Sequence, residues 1–173
     1  MIISELKAYD LGDWVVHRNH GIGKIESIER KRLGGQENVY CKIQTPDSMI
    51  WLPIKKANSN WLRPVAAPAK IKQAQEVLKS APQPLPDNLN GRKSWINKVN
   101  SNDKPEVIAE LLRDLRAFKK EKKTLAQAEE AALRHFTDCF VAEWAVSMDI
   151  TMDEASQKFE KLIEIGHQNH LAV

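Results

Sequence analysis

The sequence predicts an α+β fold: a small N-terminal antiparallel β-barrel over residues 1–66, then an all-α domain of about five helices over residues 67–173. Three observations predict it. The stretch Leu11–Glu29 reads as strand, tight glycine turn and strand, with Trp14, Val15 and Val16 as β-formers and His20-Gly21 and Gly23 as turn residues. Five short β-prone runs follow one another within about 55 residues, which suits a small, strongly bent barrel. From Ala67 onward the apolar period changes from two to helical spacing.

Residues 1–9 form a lead-in, with Tyr9 expected beneath the first strand. Strands are expected near 13–18, 22–33, 38–45 and 48–53, with a last short one at Trp61-Leu62-Arg63-Pro64-Val65. Leu33-Gly34-Gly35-Gln36-Glu37-Asn38 separates the second from the third, and Pro46-Asp47-Ser48 turns the third into the fourth. Cys41, Ile43, Met49, Trp51 and Leu52 supply apolar bulk, while Lys42 and Gln44 alternate outward.

In the helical half, Ile71, Ala74 and Leu78 mark a first helix, ended by Pro82, Pro84 and Pro86. The APQPLPDN segment is a stiff connector. Leu89, Ile96 and Val99 mark a second helix, interrupted by Gly91. A third opens at Asp103 with Pro105 in its first turn, and its core face is Val107, Ile108, Leu111, Leu112, Leu115 and Phe118. Thr124-x-x-Gln127 is a capping box for a fourth helix carrying Leu125, Ala128, Ala132, Phe136, Phe140 and Trp144. Thr151-x-x-Glu154 is a second box, leading Ala155, Phe159, Leu162 and Ile163 to a C-terminal cap at Gly166; the tail HQNHLAV is expected to fray.

The chain is 42% hydrophobic and 28% charged, the balance of a soluble protein with a real core. No apolar run approaches the roughly 18 residues of a membrane span, and the N-terminus does not read as a signal peptide. Cys41 and Cys139 lie far apart in apolar-periodic segments, which points to buried free thiols in a reducing cytoplasm. Charge is informative only when divided. Residues 1–66 carry a net +3, residues 67–123 carry +6, and residues 124–173 carry −6. A basic middle suggests a polyanion partner, although solvated helix faces produce the same imbalance.

Chemistry is sparse. Gly21-Ile22-Gly23-Lys24 lacks the spacing and the following helix of a phosphate loop, so it reads as a turn. The pairs His17/His20 and His167/His170 lack third and fourth metal ligands nearby. No nucleophile or carboxylate pair sits in a recognisable catalytic setting, so neither an enzyme nor a cofactor, metal or small-molecule substrate is expected. Trp14 and Trp61 read as barrel core or barrel–helix contacts and Trp144 as bundle core. Trp95 lies in the basic run Gly91-Arg92-Lys93-Ser94-Trp95-Ile96-Asn97-Lys98, where core and nucleic-acid readings both stand. Arg113-Asp114-Leu115-Arg116-Ala117-Phe118-Lys119-Lys120-Glu121-Lys122-Lys123 is the densest charge cluster, and a solvated helix end explains it equally well.

Leu11-Gly12-Asp13, Val15-Val16, His20-Gly21-Ile22-Gly23, Ile25, Ile28-Glu29, Tyr40, Pro53 and Leu62-Arg63-Pro64 together resemble the N-terminal domain of the CarD/CdnL family of bacterial transcription regulators. The same fold is the polymerase-interacting domain of the transcription-repair coupling factor. Glu106–Leu115 and Leu125–Glu129 are similar to the family's helical domain, and the likeness fades beyond about residue 146. The resemblance implies a Tudor-like barrel that docks on the RNA polymerase β subunit and a helical domain that lies on promoter DNA. It implies Lys31 and Trp51 on the polymerase face, matched through Ile28-Glu29 and Leu52-Pro53. Arg92, Lys93 and Lys98 are the DNA candidates; Lys93 matches a basic family position, the other two rest on charge. The family places a DNA-wedging tryptophan at the start of this helix, a position that falls here on Asn88 or Leu89 rather than on Trp95. Two other functions fit the same residues: a general nucleic-acid-binding protein using Arg30-Lys31-Arg32, and a polymerase-bound adaptor that recruits another protein through its acidic C-terminal helix.

Overall fold

The computed structural model describes residues 6–122 and 124–171, in two compact units, Met1–Val65 and Ala66–Val173. The first unit is a five-stranded antiparallel sheet: β1 (Trp14–His17), β2 (Gly21–Leu33), β3 (Gln36–Gln44), β4 (Met49–Pro53) and β5 (Leu62–Pro64), with a short helix α1 (Ile54–Ala57) before the last strand. The strand order is β4-β3-β2-β1-β5, an open sequence in which β4 and β5 are the edges. The two-residue connection Gly34-Gly35 joins Leu33 to Gln36 with both glycines at positive φ, 63° and 84°. That is a type I′ turn, whose twist matches the flanking strands, and it lets β3 start two residues before the expected boundary.

β2 is not continuous in register. Ile25 pairs with Ile43 and Ser27 with Lys42, leaving Glu26 as the extra residue of a bulge. The bulge explains the three-residue spacing of Ile25 and Ile28, which no regular strand would bury on one face. Ile25 points into the core, and the inserted residue lets Ile28 do the same opposite Cys41. The core beneath the sheet is Leu6, Val15, Ile25, Cys41, Ile43, Leu52, Ala57 and Leu62. Tyr9 packs against it as expected, its hydroxyl donating to the Leu62 carbonyl at 3.2 Å, and Trp61 covers it from the rim. Burial raises the Cys41 thiol to about 11, which leaves it inert at neutral pH.

The second unit is a bundle of α2 (Pro68–Lys79), α3 (Leu89–Ser101), α4 (Pro105–Lys122), α5 (Gln127–Met148) and α6 (Met152–Leu171). α4 is its centre and packs on the other four. Its Ile108, Leu111, Leu112 and Leu115 meet Leu78, Val99, Phe136, Phe140, Trp144 and Phe159 in one core. Pro105 opens α4, where its missing amide costs nothing. Thr151 and Glu154 form the expected capping box of α6, with Thr151 N–H donating to Glu154 Oε2 at 2.9 Å and Glu154 N–H donating to Thr151 Oγ1 at 3.1 Å.

Three helix boundaries differ from the sequence reading. α3 runs through Gly91, whose amide donates to the Asn88 side chain at 2.7 Å, so the glycine sits in the first turn rather than at a break. α5 begins at Gln127 behind Ala126, not at Thr124; Glu129 accepts the Ala126 amide at 2.8 Å and takes over the capping role. Gly166 lies inside α6 because a side chain there would meet the Leu78 carbonyl oxygen at 2.5 Å. The close approach lets Asn169 donate to the Lys79 carbonyl while Arg113 donates to Ser80 Oγ and the Val77 carbonyl, so the last carbonyls of α2 are satisfied from two neighbouring helices. Cys139 departs from its expected burial: it is partly exposed on α5 beside His135. No helix among the described residues is long and apolar enough to cross a membrane.

Candidate functional site

Alternation along β4 sends Ile50 and Leu52 toward the core and Trp51 to the outer face of the sheet. On β2 the bulge moves Ser27, Glu29 and Lys31 to that same face. The Lys31 ammonium lies over the Trp51 ring, 3.0 Å from its centroid, and Lys42 approaches the ring at 5.7 Å. Two residues named separately in the sequence thus meet as one cation–π pair on a half-buried surface. Lys42 also bonds Glu26 at 3.0 Å, and Glu29 accepts from Ser27 Oγ at 2.7 Å.

The basic middle of the chain divides into two unlike parts. Along α4, Arg116 bonds Glu160, Lys119 bonds Glu130 at 2.8 Å, and Lys120 lies 3.6 Å from Glu164. Three cations of the densest charge cluster are therefore answered by glutamates of the acidic C-terminal third, so part of the imbalance of +6 and −6 is complementarity within the bundle. α3 behaves differently. From Asn88 to Asn102 there is no acidic residue, and Asn90, Lys93, Ser94, Asn97, Lys98, Asn100 and Ser101 are exposed. Neither Lys93 nor Lys98 meets a carboxylate among the described residues; Lys98 rests 5.4 Å from the Trp95 ring.

Arg92 does not share that face. It is buried, its Nε bonded to Glu129 and its Nη1 donating to the carbonyls of Pro86 and Asp87 at 3.0 and 2.7 Å, with the guanidinium over Phe118. The expectation that it meets DNA is corrected: the side chain is buried, and its Nε and Nη1 tie the connector and α3 to α5. Trp95 is half-buried against the bundle core in a groove with Leu85, Pro86 and Glu110. Asn88 is the N-cap of α3, so its side chain is occupied, whereas Leu89, the first helical residue, is 49% exposed. Trp144 is core as expected, but Trp14 is not: it stands 44% exposed on the outer face.

The remaining motifs stay structural. Gly21-Ile22-Gly23-Lys24 leads into no helix, but it is not the turn expected: it runs within β2, and the turn falls on residues 18–20. His17 is buried, and burial, with His20 and Lys56 adding, pulls it down to about 4; its Nδ1 accepts the Asn19 amide at 3.1 Å. Among the described residues no group of three potential metal ligands comes together.

The CarD-like/TRCF RID domain description matches residues 9–66, and that of the CarD C-terminal domain matches residues 73–160. The chain belongs to the CarD-like family. It is also similar to the candidate transcription factor YdeB of Bacillus subtilis (strain 168), 29% identical over 147 residues that cover 83% of this chain and 94% of that one. Within a CarD-like chain the match to the C-terminal domain ends at residue 160, so the outer half of α6 lies beyond it. That half carries Glu164, one of the acids facing α4. Sequence reasoning missed this internal neutralisation, because the partners lie on different helices. It also missed the exposure of Trp14, for which the sequence carries no signal, since Val16, of the same parity on β1, is buried.

Proposed function

We propose that this CarD-like chain is a non-enzymatic transcription regulator that docks on the RNA polymerase β subunit through its sheet and on promoter DNA through α3. The observation that carries the reading is the Lys31–Trp51 pair on the outer sheet face, where an exposed-edge aromatic and a cation of the kind enriched at interfaces come together. The five strands are read as the wall of a small Tudor-like barrel. On α3, an acid-free face with Lys93 and Lys98 suits phosphate contacts, and its asparagines and serines add hydrogen-bonding groups without repelling a polyanion. Of the two positions on which the family's tryptophan falls, Asn88 and Leu89, Asn88 caps the helix, and an exposed leucine at a helix start is among the side chains that insert between base steps. Trp95 is then a groove residue that shelters beneath Lys98. Such a protein shifts the closed-to-open promoter equilibrium by binding one state better, and it works in the cytoplasm.

The test is capture of a polymerase β fragment by the full chain, alongside open-complex lifetime. Lys31→Glu with Trp51→Ala is expected to abolish capture at unchanged melting temperature, and Leu89→Ala to shorten the open complex while capture persists. Undiminished capture by the double variant would refute the docking assignment.

A further inference from the structure

Trp14 has no role in that reading. It stands on β1 on the side of the strand opposite the core residue Val15, and the core closes without it. Lys24 is its partner across the ladder, with the ammonium 5.9 Å from the ring centroid. The same row continues through Gln44 to Met49, which is also exposed. The adjoining row sets Lys42 opposite Trp51. One sheet face therefore carries two indole rings three strands apart, roughly 14 Å across the strands at the usual spacing, with Lys24 against the first, Lys31 and Lys42 against the second, and unbranched side chains between them; a base stacking on Trp51 takes the place of the Lys31 ammonium.

We propose that this row, from Trp14 to Trp51, is a stacking platform for single-stranded nucleic acid. Every base offers a π face to an indole, and the backbone phosphates between stacked bases fall to Lys24 and Lys42, a combination that tolerates any sequence. The carboxylates nearby are already engaged. Glu26 holds Lys42, Glu29 accepts from Ser27, and Asp13 accepts the Asp10 amide at 2.8 Å. Exchanging Glu26 for a phosphate at Lys42 costs little, since exposed ion pairs are weak. A protein partner would also cover Trp14; two cations set between the rings, Lys24 and Lys42, with the nearby carboxylates engaged, favour the polyanion. The inference is independent of duplex contact by α3, and at Trp51 it makes strand binding compete with polymerase docking.

The experiment uses the full chain and a fluorescein-labelled oligothymidylate of about a dozen nucleotides, within the ~4–16-nucleotide range of such sites. Anisotropy should report binding that weakens with salt, accompanied by quenching of tryptophan emission. Trp14→Ala is expected to weaken it roughly tenfold, Trp14→Phe to restore most of the loss, and Lys24→Glu to flatten the salt dependence. The tenfold loss on Trp14→Ala should persist in a background of Lys93→Ala with Lys98→Ala, which separates this site from the phosphate contacts of α3. The proposal is overturned if the wild type fails to bind at low salt, or if Trp14→Ala binds as the wild type does. It is equally overturned if Trp14→Ala impairs only capture of the polymerase β fragment, because the patch would then belong to a protein.

Discussion

Along α4, Arg116, Lys119 and Lys120 each face a glutamate from α5 or α6; along α3, Lys93 and Lys98 face water and an indole. In the sequence the two stretches look alike, basic and punctuated by an aromatic. What separates them is which helix lies opposite. Net charge within a segment reports composition, whereas affinity for a polyanion depends on the charge left after neighbouring elements have answered it. The second comparison lies inside α3 itself. Arg92 and Lys93 are adjacent, yet one is enclosed by Glu129 and two carbonyls while the other is exposed.

The largest expected effect comes from the enclosed member. Arg92→Ala strands Glu129 in the bundle interior and should lower unfolding free energy by about 3–5 kcal/mol, as breaking a buried pair does. Denaturant midpoints measure it; a loss below about 1 kcal/mol would return Arg92 to the exposed class. A smaller effect is expected from the buried imidazole of the first unit. His17 titrates near 4 in the fold against about 6.5 unfolded, so its contribution is fully present above pH 6.5 and is lost as pH falls toward 4. By pH 5 the loss should be about 2 kcal/mol, and it should vanish in His17→Gln; identical acid sensitivity in wild type and variant would exclude this cause.

Exposed members should move binding and leave stability alone. Lys93→Ala with Lys98→Ala is expected to reduce the salt slope of promoter-DNA binding by about two phosphate contacts, with stability within about 0.5 kcal/mol of wild type. An unchanged slope would make α3 an ordinary solvated face. The smallest effect belongs to the answered charges: Glu160→Gln should cost less than about 1 kcal/mol, being an exposed pair. If it instead raised DNA affinity as much as the lysine variants lower it, the two stretches would be functionally equivalent and the contrast would fail.

What the sequence made legible was whatever is decided locally. The succession of five strands, Pro105 and the Thr151–Glu154 box depend on residues within a few positions of one another and lie where the sequence puts them, apart from β3, which the Gly34-Gly35 turn starts two residues early. What it hid depends on residues brought close by folding. Gly166 reads as a stop because glycine usually ends helices; here a backbone carbonyl of α2 sets its size. Thr124 resembles a cap, yet Glu129 is drawn to Ala126 while it also serves Arg92, so the helix begins later. The four-residue α1 carries no capping or periodic signal at all. At the candidate sites, Lys31 and Trp51 were legible through likeness to a family, whereas the burial of Arg92 and the exposure of Trp14 emerged only with the packing.

The bulge at Glu26 gives β2 two reading frames. Before it, odd-numbered residues such as Gly23 and Ile25 face inward; after it, even-numbered Ile28 does, and the odd-numbered Ser27, Glu29 and Lys31 face outward. Ironing the bulge flat with Glu26 kept in the ladder would turn Ile28 to water and drive Lys31 into the apolar interior away from Trp51, whereas deleting Glu26 itself would leave both on their present sides. Length change in this strand is consequently quantised. Two residues added near the hairpin tip leave every side chain on its side, whereas one residue added or lost between Ser27 and Lys31 erases the surface without altering Lys31 or Trp51 themselves.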